Sequence, residues 1–252
     1  VAAAPVAAAA APQTSAPAPD LTLEAKVILP ADKGDGMQLT AAFALRAGQL
    51  YYLLSITNQS SAPISQFVIQ FNKNVFGLAP AGTLPANPIN PGQSSDFVLP
   101  LSYGSLFSPP GSASPFLQIG IKNNIKLYFF QDVLPFRLFF RSTGRFEKKE
   151  FLDLWKSLPP TTEVETVINN LRSNDVERVQ RHLEANHVFT IAIRKLEDKN
   201  VLYSSFVLHD GAVVLLELNF VPTSNDCSAT IKTQHSNSTA VVIEVLNALL
   251  RA

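Results

Sequence analysis

The sequence predicts a mixed molecule, an immunoglobulin-like β-sandwich followed by an α+β unit in which an antiparallel sheet is flanked by helices. Three observations carry this reading. With 252 residues, the chain is long for one compact domain and comfortable for two of the usual size, about 100 to 150 residues each. Composition changes near residue 140: 15 of the 18 prolines and 12 of the 17 phenylalanines fall in residues 1–140, with only 7 basic and 6 acidic residues, whereas residues 141–252 hold 13 basic and 14 acidic residues. The hydrophobic period changes there too, from two residues to that of a helix. The expected division is therefore an Ala/Pro-rich segment at 1–20, the sandwich at 21–140 and the α+β unit at 141–252, with the boundary at residues 141–144 and a modest core in each half.

Residues 1–19, VAAAPVAAAAAPQTSAPAP, carry no charge, and Pro5, Pro12, Pro17 and Pro19 interrupt any helix the alanines favour. This segment reads as a disordered linker. It lacks the basic start and bulky apolar stretch of a signal peptide, and the expectation is a longer protein preceding it. From Leu21 the period is two. Leu21, Leu23, Ala25 and Val27 alternate, as do Leu39, Ala41, Phe43 and Leu45, followed by LYYLLSIT. In SQFVIQFN, Phe67, Ile69 and Phe71 face one way and Gln66, Gln70 and Asn72 the other, while PFLQIGIK sets Leu117, Ile119 and Ile121 against Gln118, Gly120 and Lys122. SSDFVLPL, IKLYFF and VLPFRLFF are further strands, separated by turns at 80–93 and 108–115. Seven or eight short strands in about 120 residues are the pattern of a sandwich.

Beyond Gly144, Phe151, Leu154, Trp155 and Leu158 recur at helical spacing and Pro159-Pro160 stops the helix. Thr162 and Glu165 have the spacing of a capping box ahead of Val164, Val167, Ile168 and Leu171, which predicts a second helix, and Asn174 is the expected cap of a third through Val176, Val179 and Leu183. HVFTIAIR, VLYSSFVL, AVVLLELNF and DCSATIK are strand-like, with Asp210-Gly211 the strongest hairpin signal. Thr239 opens a final helix with Val242, Val245, Leu246, Leu249 and Leu250 inward.

Chemistry is scarce. Twenty basic and twenty acidic residues cancel, so no field draws the chain to nucleic acid or an anionic surface. A single cysteine, Cys227, closes no disulfide within the chain, and His182, His187, His209 and His235 lack metal-ligand spacing, so a reducing compartment is expected, with no metal and no cofactor. Phosphate-binding glycine loops, HExxH, GxSxG and CxxC are absent from the sequence. Asp32, Asp35 and their glycines read as a turn rather than a calcium loop, and the sequons at Asn58 and Asn237 as coincidence in the absence of a secretory signal. From periodicity alone, Trp155 is a core anchor and FVIQFNKNVFGLAP a strand followed by a turn.

The order and spacing of FVIQFNKNVFGLAP, QIGIKNN, FLDLWKSLP, FTIAIR and VLYSS followed by LLELNF resemble the β-adaptin appendage, or ear, of heterotetrameric clathrin adaptors. The resemblance covers residues 21–252, with IQFNKN, KNN and WK its most specific parts. It implies an immunoglobulin-like sandwich and an α/β platform, tethered by a hinge of which the Ala/Pro segment is the end. It also implies a function: a non-enzymatic hub that binds short motifs of accessory proteins, helps hold clathrin, and meets the other adaptor subunits through the missing N-terminal region. The location implied is cytoplasmic, peripheral on clathrin-coated pits and vesicles at the plasma membrane or trans-Golgi network. The alternatives are the appendage of the α or another large subunit, and, in a different class, a secreted carbohydrate-binding sandwich enzyme.

On the platform the resemblance implies a peptide site at Trp155 and Tyr203, with Lys156, Glu163, Arg194 and Glu217 around them and Lys148 and Ala192 nearby. The two aromatic residues receive a ligand Phe or Leu, Glu163 and Glu217 a ligand Arg, and Lys148, Lys156 and Arg194 ligand carboxylates. The implied ligands are short acidic helical peptides with Phe and Leu anchors and a downstream Arg, as in epsins, arrestins and cargo-specific adaptors such as the one linked to hypercholesterolaemia. Pro160 departs from the family's Asn beside the groove. On the sandwich, Gln70, Asn72, Lys73, Gln118, Lys122 and Phe129 match the second site, with Phe129 in place of a Tyr and thus without its hydroxyl hydrogen bond. Tyr128 is expected to face the opposite way.

Overall fold

Nine strands build the first half of the computed structural model, which describes residues 21–104, 114–209, 211–234 and 239–251. The Ala/Pro segment, most of the turn at 108–115, Asp210 of the expected hairpin, His235 and the Asn237 sequon lie outside the described residues. The strands are β1 (Leu21–Thr22), β2 (Lys26–Leu29), β3 (Met37–Arg46), β4 (Gln49–Asn58), β5 (Val68–Phe71), β6 (Ala79–Pro80), β7 (Ser94–Ser102), β8 (Leu117–Lys122) and β9 (Leu127–Asp132). One sheet runs β1-β3-β4-β7-β6 with β2 also on β3, and the other runs β5-β8-β9. The continuous first strand expected from Leu21 to Val27 is broken into β1 and β2, which share one edge of β3 with a register shift between Val27 and Leu29.

Alternation sets the core. Leu50, Tyr52, Leu54 and Ile56 of β4 and Leu117, Ile119 and Ile121 of β8 are all buried, each on the inner face of its sheet. Tyr52 carries a hydroxyl into that core, where it donates to Asp132 Oδ2 at 3.0 Å, and Lys26 pairs with the same carboxylate. Burial and the neighbouring Asp132 charge push the Tyr52 phenol well above its ordinary range.

The second half contains α1 (Lys148–Ser157), β10 (Glu163–Ile168), α2 (Val176–Ala185), β11 (Phe189–Lys195), β12 (Asn200–Val207), β13 (Val213–Phe220), β14 (Cys227–Thr233) and α3 (Thr239–Arg251). Its five-stranded antiparallel sheet has the order β10-β14-β13-β12-β11. Along β13, Val214, Leu216, Leu218 and Phe220 pack into the cluster that holds α2 and α3, while Val213 and Leu215 pack with Phe151, Leu154 and Trp155 of α1. Two helices thus cover one face and a single short helix covers part of the other.

Three further expectations about local structure are corrected. The predicted helix over 162–171 is strand β10, whose exposure alternates from Glu163 to Ile168. Val164 and Ile168 share a face in either structure, but the β-branched run Thr166, Val167 and Ile168 favours a pleated edge over a helix. The cap of α2 is Asp175, which accepts from the backbone N–H groups of Glu177 and Arg178 at 2.9 and 3.4 Å. Asn174 instead donates to the carbonyls of Pro222 and Ser224. VLPFRLFF contains a 3-10 turn at Phe136–Leu138 in place of a strand. That turn lets Phe136, Leu138, Phe139 and Phe140 all be buried, which the two-sided alternation of a strand forbids.

Those phenylalanines also overturn the expectation of two separate cores. Phe76 stacks on Phe139 at 3.8 Å, Phe136 lies 6.2 Å from Phe140, and Phe140 stacks on Phe206 of β12 at 4.4 Å. The main cluster of buried side chains is therefore continuous from the sandwich into the platform. Backbone ties follow the same path: the Arg141 N–H donates to Val207 O at 2.7 Å, and the ring nitrogens of His187 and His209 meet the carbonyls of Phe140 and Leu138.

Candidate functional site

A groove of ≈270 Å³ opens between α1 and the β11–β12 end of the sheet. Six of the eight platform residues singled out in the sequence line it: Lys148, Trp155, Ala192, Arg194, Tyr203 and Glu217. Three facts of local structure bring them together. Strand pairing places Ala192 opposite Tyr203 and Tyr203 opposite Glu217, so the three side chains form one row across the sheet. A bulge between Thr190 and Ala192 inserts Ile191, which turns toward the groove beside Ala192. Helix α1 then lays Phe151 beneath the site, its ring 5.5 Å from Trp155 and 6.2 Å edge-on from Tyr203.

The walls are oppositely charged. Arg194 lies 5.6 Å from the centre of the Tyr203 ring, and Asn219 donates to Glu217 Oε1 at 3.1 Å. Burial and the adjacent Glu217 push the Tyr203 phenol up, so near neutral pH it is a protonated hydroxyl that donates or accepts a hydrogen bond. The result is an apolar floor of aromatic faces, cationic on the Lys148 and Arg194 side and anionic at Glu217.

Lys156 and Glu163 lie apart from the groove lining. Lys156 is exposed in the last turn of α1. Glu163 begins β10, opposite Lys232 of β14, and the two pair at 3.0 Å. Lys232 is the residue that sequence reasoning missed. Its side chain is only 7% exposed, its ammonium donates to the Trp155 carbonyl at 3.0 Å, and it stands 5.2 Å from the centre of the Trp155 ring. A lysine in a strand pattern gives no sign of burial, because the sequence hides the helix that lies over it. Phe151, Leu152 and Ile191 complete the lining, and only the bulge, invisible in the pattern FTIAIR, explains why Ile191 joins them. Pro160 is exposed in the 3-10 turn after α1.

On the sandwich, pairing in the β5-β8-β9 sheet sets Gln70 opposite Gly120 and Gly120 opposite Phe129. Gln70, Gln118, Lys122 and Phe129 thus share the outer face of one sheet. Phe129 is 77% exposed and its ring lies over Gly120, where a Cβ would meet ring atoms at 3.3 and 3.5 Å. Tyr128 is buried, facing inward as expected. Val68 and Leu127, both paired with Lys122, are exposed on the same face and widen the apolar patch beyond the residues foreseen. Asn72 is engaged internally: its Oδ1 accepts from the Gln118 N–H at 2.8 Å and its Nδ2 donates to the carbonyls of Lys73 and Phe116. It pins β5 to β8, and Lys73 beyond it is exposed.

Among the described residues no three His, Cys, Asp or Glu side chains gather as a metal site, and no helix is long and apolar enough to cross a membrane. Cys227 is buried, and that burial pushes its thiol up to about 12.

Comparison with known proteins covers both halves of the chain. The family model described as Beta2-adaptin appendage, C-terminal sub-domain, matches residues 141–250, and that described as Adaptin C-terminal domain matches residues 25–127. The AP-1 complex subunit beta-1 of Homo sapiens is 34% identical over 204 residues, covering 80% of this chain and 21% of its own length. The same subunit of Mus musculus is 31% identical over 227 residues, and the AP-1 complex subunit beta of Dictyostelium discoideum 27% over 226, each alignment covering 89% of this chain and 24% of the relative. The chain therefore spans between a fifth and a quarter of the length of these relatives.

Proposed function

The chain belongs to the β-adaptin appendage family, and from that premise we propose that it recruits accessory proteins to clathrin coats by binding short peptide motifs, without catalysing a reaction. The platform groove is the principal site. Trp155 and Tyr203 take the Phe and Leu anchors of an acidic helical peptide, Lys148 and Arg194 meet its carboxylates, and Glu217 receives a downstream Arg. The observation that carries this reading is the convergence of Trp155, Tyr203, Arg194 and Glu217 on one groove from four separate elements. Glu163 acts from behind, through Lys232 and Trp155, rather than on the ligand.

The outer face around Phe129 is a second peptide site, supported by an aromatic ring left 77% exposed amid Gln70, Gln118 and Lys122. Residues 21–140 and 141–252 act as two subdomains carrying one site each. The domain works in the cytoplasm, peripherally on coated pits and vesicles, with accessory proteins of the epsin and arrestin kind, cargo-specific adaptors and clathrin as partners, and the other adaptor subunits held by the rest of the protein. Single motifs bind at micromolar strength or weaker, and multivalency in a growing coat raises the effective strength by about 10² to 10⁴.

Calorimetric titration with a Phe-anchored acidic helical peptide tests the reading. A central aromatic hot spot contributes about 2 kcal/mol or more, so Trp155→Ala weakens the peptide by roughly thirtyfold with circular dichroism unchanged. Tyr203→Val behaves similarly, and Glu217→Gln weakens only peptides that retain the downstream Arg. Normal binding by Trp155→Ala would sink the assignment.

A further inference from the structure

We propose that a separate pocket, between α2 and the last turn of α3, binds a phosphomonoester carried on a peptide side chain. The pocket holds ≈250 Å³. Val179, Leu249 and Leu250 form its floor, and Arg172, Ser173, Arg178 and His182 its rim. It is fixed at its back by the Arg172 N–H, which donates to the Leu250 carbonyl at 3.0 Å. Arg178 and His182 stand one helical turn apart on α2, so both project over the same floor.

The charges at this rim have no internal purpose. The acids of α2 are used elsewhere: Glu177 pairs with Lys195 at 2.8 Å, Glu184 with Arg145 at 3.3 Å, and Asp175 caps the helix. Among the described residues neither Arg172 nor Arg178 is in an ion pair, and His182 Nε2 is buried with no hydrogen-bond partner. Arg178 also lies in the first turn of α2, where a cation works against the helix dipole. An orphaned imidazole nitrogen and two unpaired guanidinium forks around an apolar floor are the recognition elements for an anion attached to carbon.

A phosphomonoester fits better than a carboxylate. It is close to doubly charged at neutral pH and offers three oxygens to two planar forks and an imidazole, whereas a carboxylate offers two oxygens and one charge. The volume exceeds that of the phosphate alone, and the floor accepts the carbon skeleton of the ester. A peptide is favoured over a lipid surface because anionic membranes are held by clusters of about four to eight Lys and Arg, whereas this rim has two arginines on a chain of zero net charge.

The pocket shares no lining residue with the groove at Trp155, so its failure and that of the proposed function are separately readable. The test is NMR of the labelled full chain, following the His182 ring and the arginine Nε–Hε signals during titration with N-acetyl-O-phosphoserine N-methylamide. His182, Arg172 and Arg178 should shift together, the unphosphorylated serine compound should leave them still, and Arg172→Gln with Arg178→Gln should weaken the response roughly tenfold or more. Should the double variant unfold, the two single variants carry the same comparison. Shifts absent with the phosphoserine compound, or undiminished in the arginine variants, overturn the proposal. Binding to phosphoinositide-containing vesicles without binding to the phosphoserine compound overturns the peptide source.

Discussion

The groove at Trp155 and the face at Phe129 each present an aromatic ring, but they hold it in opposite ways. Trp155 is half-buried, backed by Phe151 and tied through its carbonyl to Lys232. Phe129 is 77% exposed and lies over a glycine. The first ring has lost its freedom before a ligand arrives, so little ordering remains to oppose binding, whereas the second must still be immobilised by what it binds. Equal aromatic area need not mean equal affinity, and the pre-ordered groove is expected to be the tighter of the two proposed sites.

The largest effect expected to separate the two sites is on stability. Phe151 is 2% exposed under the groove, so Phe151→Ala should cost about 3 to 5 kcal/mol. Phe129→Ala, at a surface ring, should stay within about 0.5 kcal/mol of the parent. Thermal melts of both variants check this, and similar melting temperatures would show that the groove is no better supported than the open face.

Next in size is the strut behind Trp155. Lys232→Met keeps the bulk of the side chain but removes its bond to the Trp155 carbonyl, worth about 1.5 to 3 kcal/mol as a charged hydrogen bond in place. Because Trp155 is the chain's single tryptophan, its fluorescence reports the groove alone. Stronger acrylamide quenching and weaker binding of the groove peptide are expected, with Phe129-site ligands unaffected; quenching identical to the parent would remove Lys232 from the account.

A smaller effect is expected at Phe129 itself. Phe129→Ser should weaken sandwich ligands, and Phe129→Tyr should leave them equal or improve them by about 0.5 to 1.5 kcal/mol, the range for one hydrogen bond. Titrations giving one affinity for all three proteins would mean that this face binds nothing through residue 129. The smallest change is Gly120→Ala. The added Cβ meets the Phe129 ring at 3.3 Å, so the ring must give by a few tenths of an ångström, with sandwich binding altered about twofold to threefold while groove binding and the melting temperature barely move. A large fall in melting temperature would show that the ring is packed more firmly than its exposure suggests.

Much of this molecule was legible in its sequence because strands declare their faces locally. The alternation in VIQF and LQIGIK already sorted Gln70 and Gln118 from Ile69 and Ile119, and the spacing of Phe151, Leu154 and Leu158 marked α1 with its inner stripe. Resemblance to the family then picked out six residues that do meet in the groove. Local period failed at β10, where an i, i+4 pair suits helix and strand alike, and at the Phe136–Leu138 turn, where a run of apolar residues fits either a strand or a turn buried on all sides.

The sequence by itself determined which residues share a face within each element, the change of architecture near residue 140, and a net charge of zero. Only the tertiary structure decided which faces meet. The continuous phenylalanine core, the bulge that turns Ile191 toward Ala192, the burial of Lys232 against Glu163 and Trp155, and the cationic pocket between α2 and α3 all join residues distant along the chain. Side-chain period is a property of one element, whereas register, burial and charge pairing belong to two elements in contact, and nothing in a local pattern specifies the second partner.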